Sequence, residues 1–168
     1  NDEEFAGGIV AILETATIEN SKNTGNVIGS TNIGGIAGES KGTITQCRND
    51  GQVSKVVGVI CKTVNLGGLV GKNGEAARLS NSKNYGNVNS ETDTLVNLGG
   101  ICGILYNNSI VELCENNGAI SGSGKEIIPN EDTNTNCASC TSNNGGSAST
   151  DDFGQLNIGI IYGKYQEI

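Results

Sequence analysis

The stretch Asn32-Ile33-Gly34-Gly35-Ile36-Ala37-Gly38 returns as Asn65-Leu66-Gly67-Gly68-Leu69-Val70-Gly71 and again as Asn97-Leu98-Gly99-Gly100-Ile101-Cys102-Gly103. The first residues of the three copies, 32, 65 and 97, lie 33 and 32 positions apart. A phrase that recurs at a fixed period of this size marks a stacked repeat. Degenerate copies stand at Ala6-Gly7-Gly8-Ile9-Val10 and at Asn157-Ile158-Gly159-Ile160-Ile161-Tyr162-Gly163.

A second phrase follows each first one. It reads Ile18-Glu19-Asn20-Ser21-Lys22-Asn23-Thr24-Gly25-Asn26-Val27 in the first copy. Its fixed positions recur as Ile44, Cys47, Asn49, Gly51 and Val53, then as Leu79, Ser82, Asn84, Gly86 and Val88. The fourth set is Val111, Cys114, Asn116, Gly118 and Ile120. The aliphatic residue and the small Ser or Cys are three apart, a spacing that strict alternation along a strand puts on opposite faces. A corner or bulge between them lets both point inward.

The composition excludes a helical solenoid. There are 26 Gly in 168 residues, and no apolar stripe of helical period runs far. Ile, Val and Leu come in short runs bounded by Gly and Asn, the pattern of short buried strands. The predicted fold is all-β: a parallel β-solenoid, or β-helix, of four to five coils with a period near 32 residues. The preference of parallel crossovers predicts right-handed coiling. The coils fall at 5–31, 32–64, 65–96 and 97–128, each expected to hold three short strands. An acidic tail, Asn1–Glu4, precedes them. A polar excursion with Cys-x-x-Cys occupies 129–152, and a terminal partial coil occupies 153–168.

Stacking turns equivalent residues into ladders about 4.8 Å apart. The expected core ladders are Ile18, Ile44, Leu79, Val111; Val27, Val53, Val88, Ile120; and Ile9, Ile36, Leu69, Ile101. Two structural asparagine ladders follow from the same register: Asn32, Asn65, Asn97, Asn157 and Asn23, Asn49, Asn84, Asn116. Asn tolerates left-handed backbone at corners, and its amide bonds to the same amide one rung away. These rows read as corner stabilisers rather than as a ligand-binding face.

The Gly-Gly-(Ile/Leu)-x-Gly phrase followed by Cys/Ser-x-Asn-x-Gly-x-Val resembles the GLUG-motif repeat of bacterial surface proteins. The resemblance covers residues 5–121 in four copies, with a broken copy at 154–165. It implies an exported or cell-surface scaffold, as in adhesin-like chains, and carries no catalytic residue across, because the motif holds none.

Net charge is −8 with no basic stretch, which argues against nucleic acid as a partner. No apolar run reaches the roughly 18 residues of a membrane helix, so no direct membrane insertion is expected. The chain has four Tyr, two Phe and no Trp, a composition poor in the aromatics that line glycan clefts. It begins at Asn1 and lacks Met, which reads as a processed or trimmed chain.

Six cysteines suit export. Cys47 and Cys114 share one repeat position two coils apart, roughly 10 Å between α-carbons and too far for a bridge. Cys102 replaces Ala37 and Val70 and reads as core; Cys61 has no assignable partner. Cys137 and Cys140 form Cys-Ala-Ser-Cys, the disulfide candidate. With no His and no second Cys-x-x-Cys, neither a metal site nor a cofactor is implied.

No capping helix is legible at either end, although a solenoid exposes strand edges there. The chain is therefore a segment of a longer protein, or its excursion folds back as a cap, or its ends stack into a filament. The function expected is a non-enzymatic extracellular or cell-surface module, an adhesin-like stalk or filament subunit that displays polar loops. Its expected partners are a host or cell-surface ligand, or a second copy head to tail. The alternative is a carbohydrate-active β-solenoid enzyme or glycan-binding domain, which would need paired carboxylates or a basic residue beside a metal. Arg48 falls in a row with Lys22, Lys83 and Glu115, and Arg78 aligns with Thr43; both read as solvated charges. Thr15, Thr17, Thr43 and Thr45 form a small threonine patch, but Arg78, Ser80 and Glu112 break it further along.

Overall fold

The computed structural model describes residues 3–90, 95–106, 108–129, 137–143, 146–159 and 162–166. The described residues contain strands and turns and no helix. All strand pairs among the described residues are parallel, and the chain is a parallel β-solenoid of four coils with a fifth layer.

Each coil holds five strands where three were expected. Coil 1 comprises β1 Phe5–Gly7, β2 Val10–Leu13, β3 Thr17–Glu19, β4 Lys22–Asn23 and β5 Val27–Gly29. Coil 2 repeats them as β6 Asn32–Gly34, β7 Ala37–Ser40, β8 Thr43–Thr45, β9 Arg48–Asn49 and β10 Val53–Lys55. Coil 3 has β11 Val64–Gly67, β12 Val70–Asn73, β13 Arg78–Ser80, β14 Lys83–Asn84 and β15 Val88–Ser90. Coil 4 has β16 Leu95–Gly99, β17 Cys102–Tyr106, β18 Ile110–Glu112, β19 Glu115–Asn116 and β20 Ile120–Pro129. Four more strands form the last layer: β21 Cys137–Ala138, β22 Thr141–Ser142, β23 Gly146–Gly159 and β24 Tyr162–Gln166.

The extra strands arise because both phrases turn in their middle. In the first phrase the backbone folds at the glycine pair, and the next two amides share one carbonyl of the coil above: Ile36 N and Ala37 N both donate to Leu69 O, at 2.9 and 3.1 Å. In the second phrase the turn falls between the aliphatic and the small residue, as inferred. The left-handed residues there are Asn20, Gln46, Asn81, Leu113 and Ser139, with φ of 50, 53, 49, 52 and 56°. The ladder asparagines were expected to take this conformation, and none of them does. Their side chains make the next turn instead, and the left-handed corner passes to an outward residue whose type varies.

The small residue then seals the corner. Ser21 Oγ, Cys47 Sγ, Ser82 Oγ and Cys114 Sγ each donate to the carbonyl two residues earlier, at 2.9, 3.2, 2.7 and 3.3 Å. Ser82 Oγ also accepts from Cys47 N of the coil below at 3.0 Å. A short side chain with one donor fits this place, which explains the Ser/Cys exchange.

The register sets Ile18, Ile44, Leu79 and Val111 in one column and Val27, Val53, Val88 and Ile120 in another. The interior is two apolar lobes, one around Ile36, Ile44, Leu69, Leu79, Ile101 and Val111, the other around Ile33, Val53, Leu66, Val88 and Leu98. The ladder of Asn49 and Asn84 meets the second glycine of the first phrase, so the two phrases face each other across the coil.

One column breaks the apolar rule. Leu13, Ser40, Asn73 and Leu105 stack in register, and all four are buried. Ser40 Oγ and both polar atoms of the Asn73 amide lack a protein partner. Desolvated polar groups of this kind cost about 1–3 kcal/mol each. The double substitution Ser40→Ala with Asn73→Leu, which continues the flanking leucines, is expected to raise stability by about 1–3 kcal/mol. Urea denaturation checks it, and a loss of stability would show that this pair is satisfied in solution.

The region read as a polar excursion carries the repeat further than its composition suggests. Cys137–Ala138 pairs with Val111–Glu112, and Thr141–Ser142 with Glu115–Asn116. Gly146 stands beside Ile120. The first-phrase copy comes afterwards: Leu95–Gly99 pairs with Gln155–Gly159, and Cys102–Tyr106 with Tyr162–Gln166. The last layer thus reverses the order of the two phrases, and β23 lies between β16 and β20. Residues 130–136 and 144–145 of that region lie outside the described residues. This layer covers coil 4, where Ile101, Val111 and Ile120 are buried, whereas Ile9 of coil 1 is 45% exposed.

Candidate functional site: the asparagine ladders and the adjoining cleft

The Asn23 ladder is continuous across the described stack. Asn23 Nδ2 donates to Asn49 Oδ1 at 2.8 Å, Asn49 Nδ2 to Asn84 Oδ1 at 2.9 Å, and Asn84 Nδ2 to Asn116 Oδ1 at 2.9 Å. Asn116 Nδ2 ends the run on Ser142 Oγ at 3.2 Å. Each amide also clasps the glycine two residues on. For Asn84, Gly86 N donates to Oδ1 at 3.2 Å and Nδ2 donates to Gly86 O at 2.8 Å. The backbone therefore fixes which way every amide faces, and the whole row points in one direction. Asn49, Asn84 and Asn116 are fully buried, so these three rungs present no surface to a ligand, while Asn23 at the end of the row is 8% exposed.

The second ladder runs the opposite way: Asn97 Nδ2 donates to Asn65 Oδ1, and Asn65 Nδ2 to Asn32 Oδ1, both at 2.7 Å. Asn157 stands in register with Asn97; its side chain is outside the described residues. Below Asn32 the column changes to Phe5.

Cys140 is disulfide-bonded and packs against the first core lobe; the side chain of Cys137 lies outside the described residues. Cys47, Cys102 and Cys114 are buried thiols. Burial pushes the Cys114 thiol up to about 11 and the Cys102 thiol well above its ordinary value, and raises Cys47 as well. These three thiols are expected to resist alkylation in the native protein and to react once it is denatured, which mass spectrometry reads directly. Their protonated form is the one the fold favours. The stability tied to Cys114 is therefore complete below its unfolded value of 9.0 and is lost as pH rises toward about 11. A melting temperature that falls above pH 9, less so in Cys114→Ser, checks the sign.

The face built from β4, β9, β14 and β19 displays Lys22, Arg48, Lys83 and Glu115 in one row, as aligned. Asp50 takes both Arg48 and Lys22, at 2.5 and 2.7 Å, and Lys83 meets Glu115 at 2.8 Å. The Arg48 guanidinium lies 4.2 Å over the Tyr85 ring. Arg48 and then Lys22 hold the Asp50 carboxyl below its ordinary value, and Lys83 does the same for Glu115. These groups are solvent-exposed, and pairs of this kind add little stability. Arg78 stands beside Thr43 and pairs with Glu112. Both arginines are thus engaged by carboxylates on the outer surface.

A feature the repeats did not announce lies beside the first strands. Glu3 and Glu4, Thr31, Lys72 and Tyr106 meet the loop Val56–Thr63 around a cleft of about 760 Å³. Lys72 Nζ sits 3.5 Å from the nearly buried Glu39 carboxylate, 3.9 Å from Glu3 and 5.9 Å from the Tyr106 ring centre. The signal was available: Glu39 and Lys72 occupy one repeat position in adjacent coils. The loop itself is inverted. Lys55 is buried with its Nζ on Val56 O at 3.2 Å and on Val59 O, whereas Val57, Val59 and Ile60 are exposed. Among the described residues no cluster of His, Cys, Asp or Glu is placed to hold a metal, and no helix is long and apolar enough to cross a membrane.

No protein-family model matches this chain, and no match was found among curated proteins or among solved structures.

Proposed function

We propose that the chain is a non-enzymatic module of the cell exterior, an adhesin-like stalk or filament subunit, whose solenoid is a scaffold and whose outward rungs and loops are the display. The observation that carries this reading is how the repeat is divided. Side chains that recur are consumed by the core and the corners, as in the Asn49–Asn84–Asn116 row. Outward positions change from rung to rung: Thr17, Thr43, Arg78 and Ile110 share one column. Repetition thus serves the stack, and variation is left to the surface. Export is supported by the Cys140 disulfide, a bond that persists in oxidising compartments, and by the GLUG-like phrases. The purified protein is expected to bind a cell surface saturably and to leave polysaccharides and peptides intact. Turnover of any such polymer would sink the reading.

The glycan-binding alternative draws on the cleft, whose volume suits a small ligand and whose rim carries Tyr106 and Lys72. Under it, Tyr106→Ala abolishes binding of a soluble oligosaccharide. Under the scaffold reading, exchange of the loop Val56–Thr63 for a Gly/Ser segment removes cell binding instead.

A further inference from the structure

We infer that the cleft beside the loop Val56–Thr63 is an anion site, which takes the carboxylate of an acidic sugar against Lys72 and Asn32. The inference goes beyond the scaffold reading and deepens the glycan-binding one by naming the charged group of its ligand. It rests on that second reading for the use of the cleft as a sugar site.

Two donors that line the cleft want an acceptor. The first is the Lys72 ammonium, whose side chain is 20% exposed. Charge-assisted N–H···O bonds close to about 2.7–2.9 Å. Lys72 Nζ stays 3.5 Å from Glu39 and 3.9 Å from Glu3, so neither carboxylate closes on it. Glu39 is also shared, with Lys41 Nζ at 3.9 Å. The second donor is Asn32, which is 1% exposed. Its Oδ1 accepts from Asn65 Nδ2, and its own Nδ2 has no acceptor among the described residues. The cause lies within the fold, because the residue in register below it is Phe5, which has no amide to receive the bond. The other ladder has no such shortfall. There every Nδ2 spends its second hydrogen on a glycine carbonyl, as Asn49 does on Gly51 O at 2.7 Å.

The structure also shows which group suits the place. Glu3 stands opposite Lys72 on a side chain that is 62% exposed, so a carboxylate already waits at the ammonium on a loose tether. A ligand carboxylate that enters the cleft displaces it. Glu3 and Glu4 line the cleft and Glu39 adjoins it, so a monoanion is repelled less than a phosphate dianion. For the rest of the ligand, Thr63 and the Asn65 amide line the cleft with both donors and acceptors, which suits hydroxyl groups. The Tyr106 ring adds an apolar wall.

An NMR titration of the isotope-labelled full chain with sodium glucuronate tests the inference, followed by backbone and side-chain amide signals. Glucose, which lacks the acid, and N-acetylalanine, which has a carboxylate without the ring, are titrated beside it. The expected result is saturable shifts confined to the cleft, the Asn32 side-chain amide among them. Glucuronate should bind about tenfold or more tighter than either control. Lys72→Gln is expected to weaken glucuronate by about tenfold or more. Its melting temperature is measured alongside, since Glu39 loses a partner there. Glu3→Gln avoids that risk, because it changes an exposed side chain and acts in the opposite direction. Removal of the competing carboxylate is expected to tighten glucuronate by about threefold or more and to leave glucose unchanged. Equal affinity for glucose or for N-acetylalanine, shifts that miss the cleft, or no gain in Glu3→Gln would overturn the inference. Binding of neutral oligosaccharides that Tyr106→Ala abolishes, with no preference for the acid, would overturn it while the glycan-binding reading stands. No sugar binding of any kind would remove both.

Discussion

Gly68→Ala is expected to cost about 4 kcal/mol or more, in the range reserved for core disruption. A methyl group on Gly68 would lie 2.1 Å from Gly100 O and 2.2 Å from Asn84 Nδ2. Neither neighbour can yield cheaply. Gly100 O belongs to the backbone one coil up, at the place where Leu69 N and Val70 N both donate to Ile101 O at 3.0 Å. Asn84 is held by its own glycine and by the rungs on either side. The methyl must therefore open the spacing between coils 3 and 4 or expel the amide from the ladder. Gly58→Ala is the matched control, because Gly58 has φ +82° with nothing near its Cβ position. It should cost about 1–2 kcal/mol from backbone conformation alone. Urea unfolding of both proteins settles the comparison: equal losses would mean that close approach at Gly68 is not what the glycine serves.

Which parts of this architecture a sequence discloses follows from what constrains each position. Packing holds Ile44, Leu79 and Val111 to aliphatics and hydrogen bonding holds Asn49, Asn84 and Asn116 to one residue type, so both rows and their register are legible. The left-handed corner asks only for a backbone angle. Asn20, Gln46, Asn81 and Leu113 meet it with unlike side chains, so the corner leaves no signature and the strand count is underestimated. The fifth copy hides for a related reason. Cys137 takes an aliphatic position, Ser142 an asparagine position and Gly146 a valine position, and the segment reads as polar spacer. The cleft was missed because half of it comes from a loop outside the repeat, Val56–Thr63, although the Glu39–Lys72 pairing of opposite charges at one repeat position was there to see.

Substitution at the centre of the ladder should separate hydrogen bonding from shape. Asn84→Ala removes the acceptor of Asn49 Nδ2 and the donor to Asn116 Oδ1, together with both clasping bonds to Gly86. Asn49 and Asn116 keep their own glycines, and Gly86 N keeps a long contact to Asn49 O at 3.3 Å, so Gly86 O is the group left most exposed to loss. With the rung bonds added, the cost is expected near about 3–5 kcal/mol and independent of pH. Asn23→Ala should cost less, because the terminal rung carries one interamide bond where Asn84 carries two. Asn84→Asp keeps the shape and exchanges a donor for an acceptor. Ionised, the new carboxylate faces Asn116 Oδ1 and Gly86 O in a buried site; protonated, it donates one bond again. The native state thus favours the neutral acid and raises its pKa above the usual value of about 3.9. The stability of this variant is then greatest below that unfolded value and is lost as pH rises through the raised native one. Denaturation at several pH values should show Asn84→Asp converging on the wild type in acid, with Asn84→Ala parallel to the wild type throughout. A flat profile for Asn84→Asp would mean that the ladder admits water at this rung, and that the solenoid is held by its apolar columns rather than by its amides.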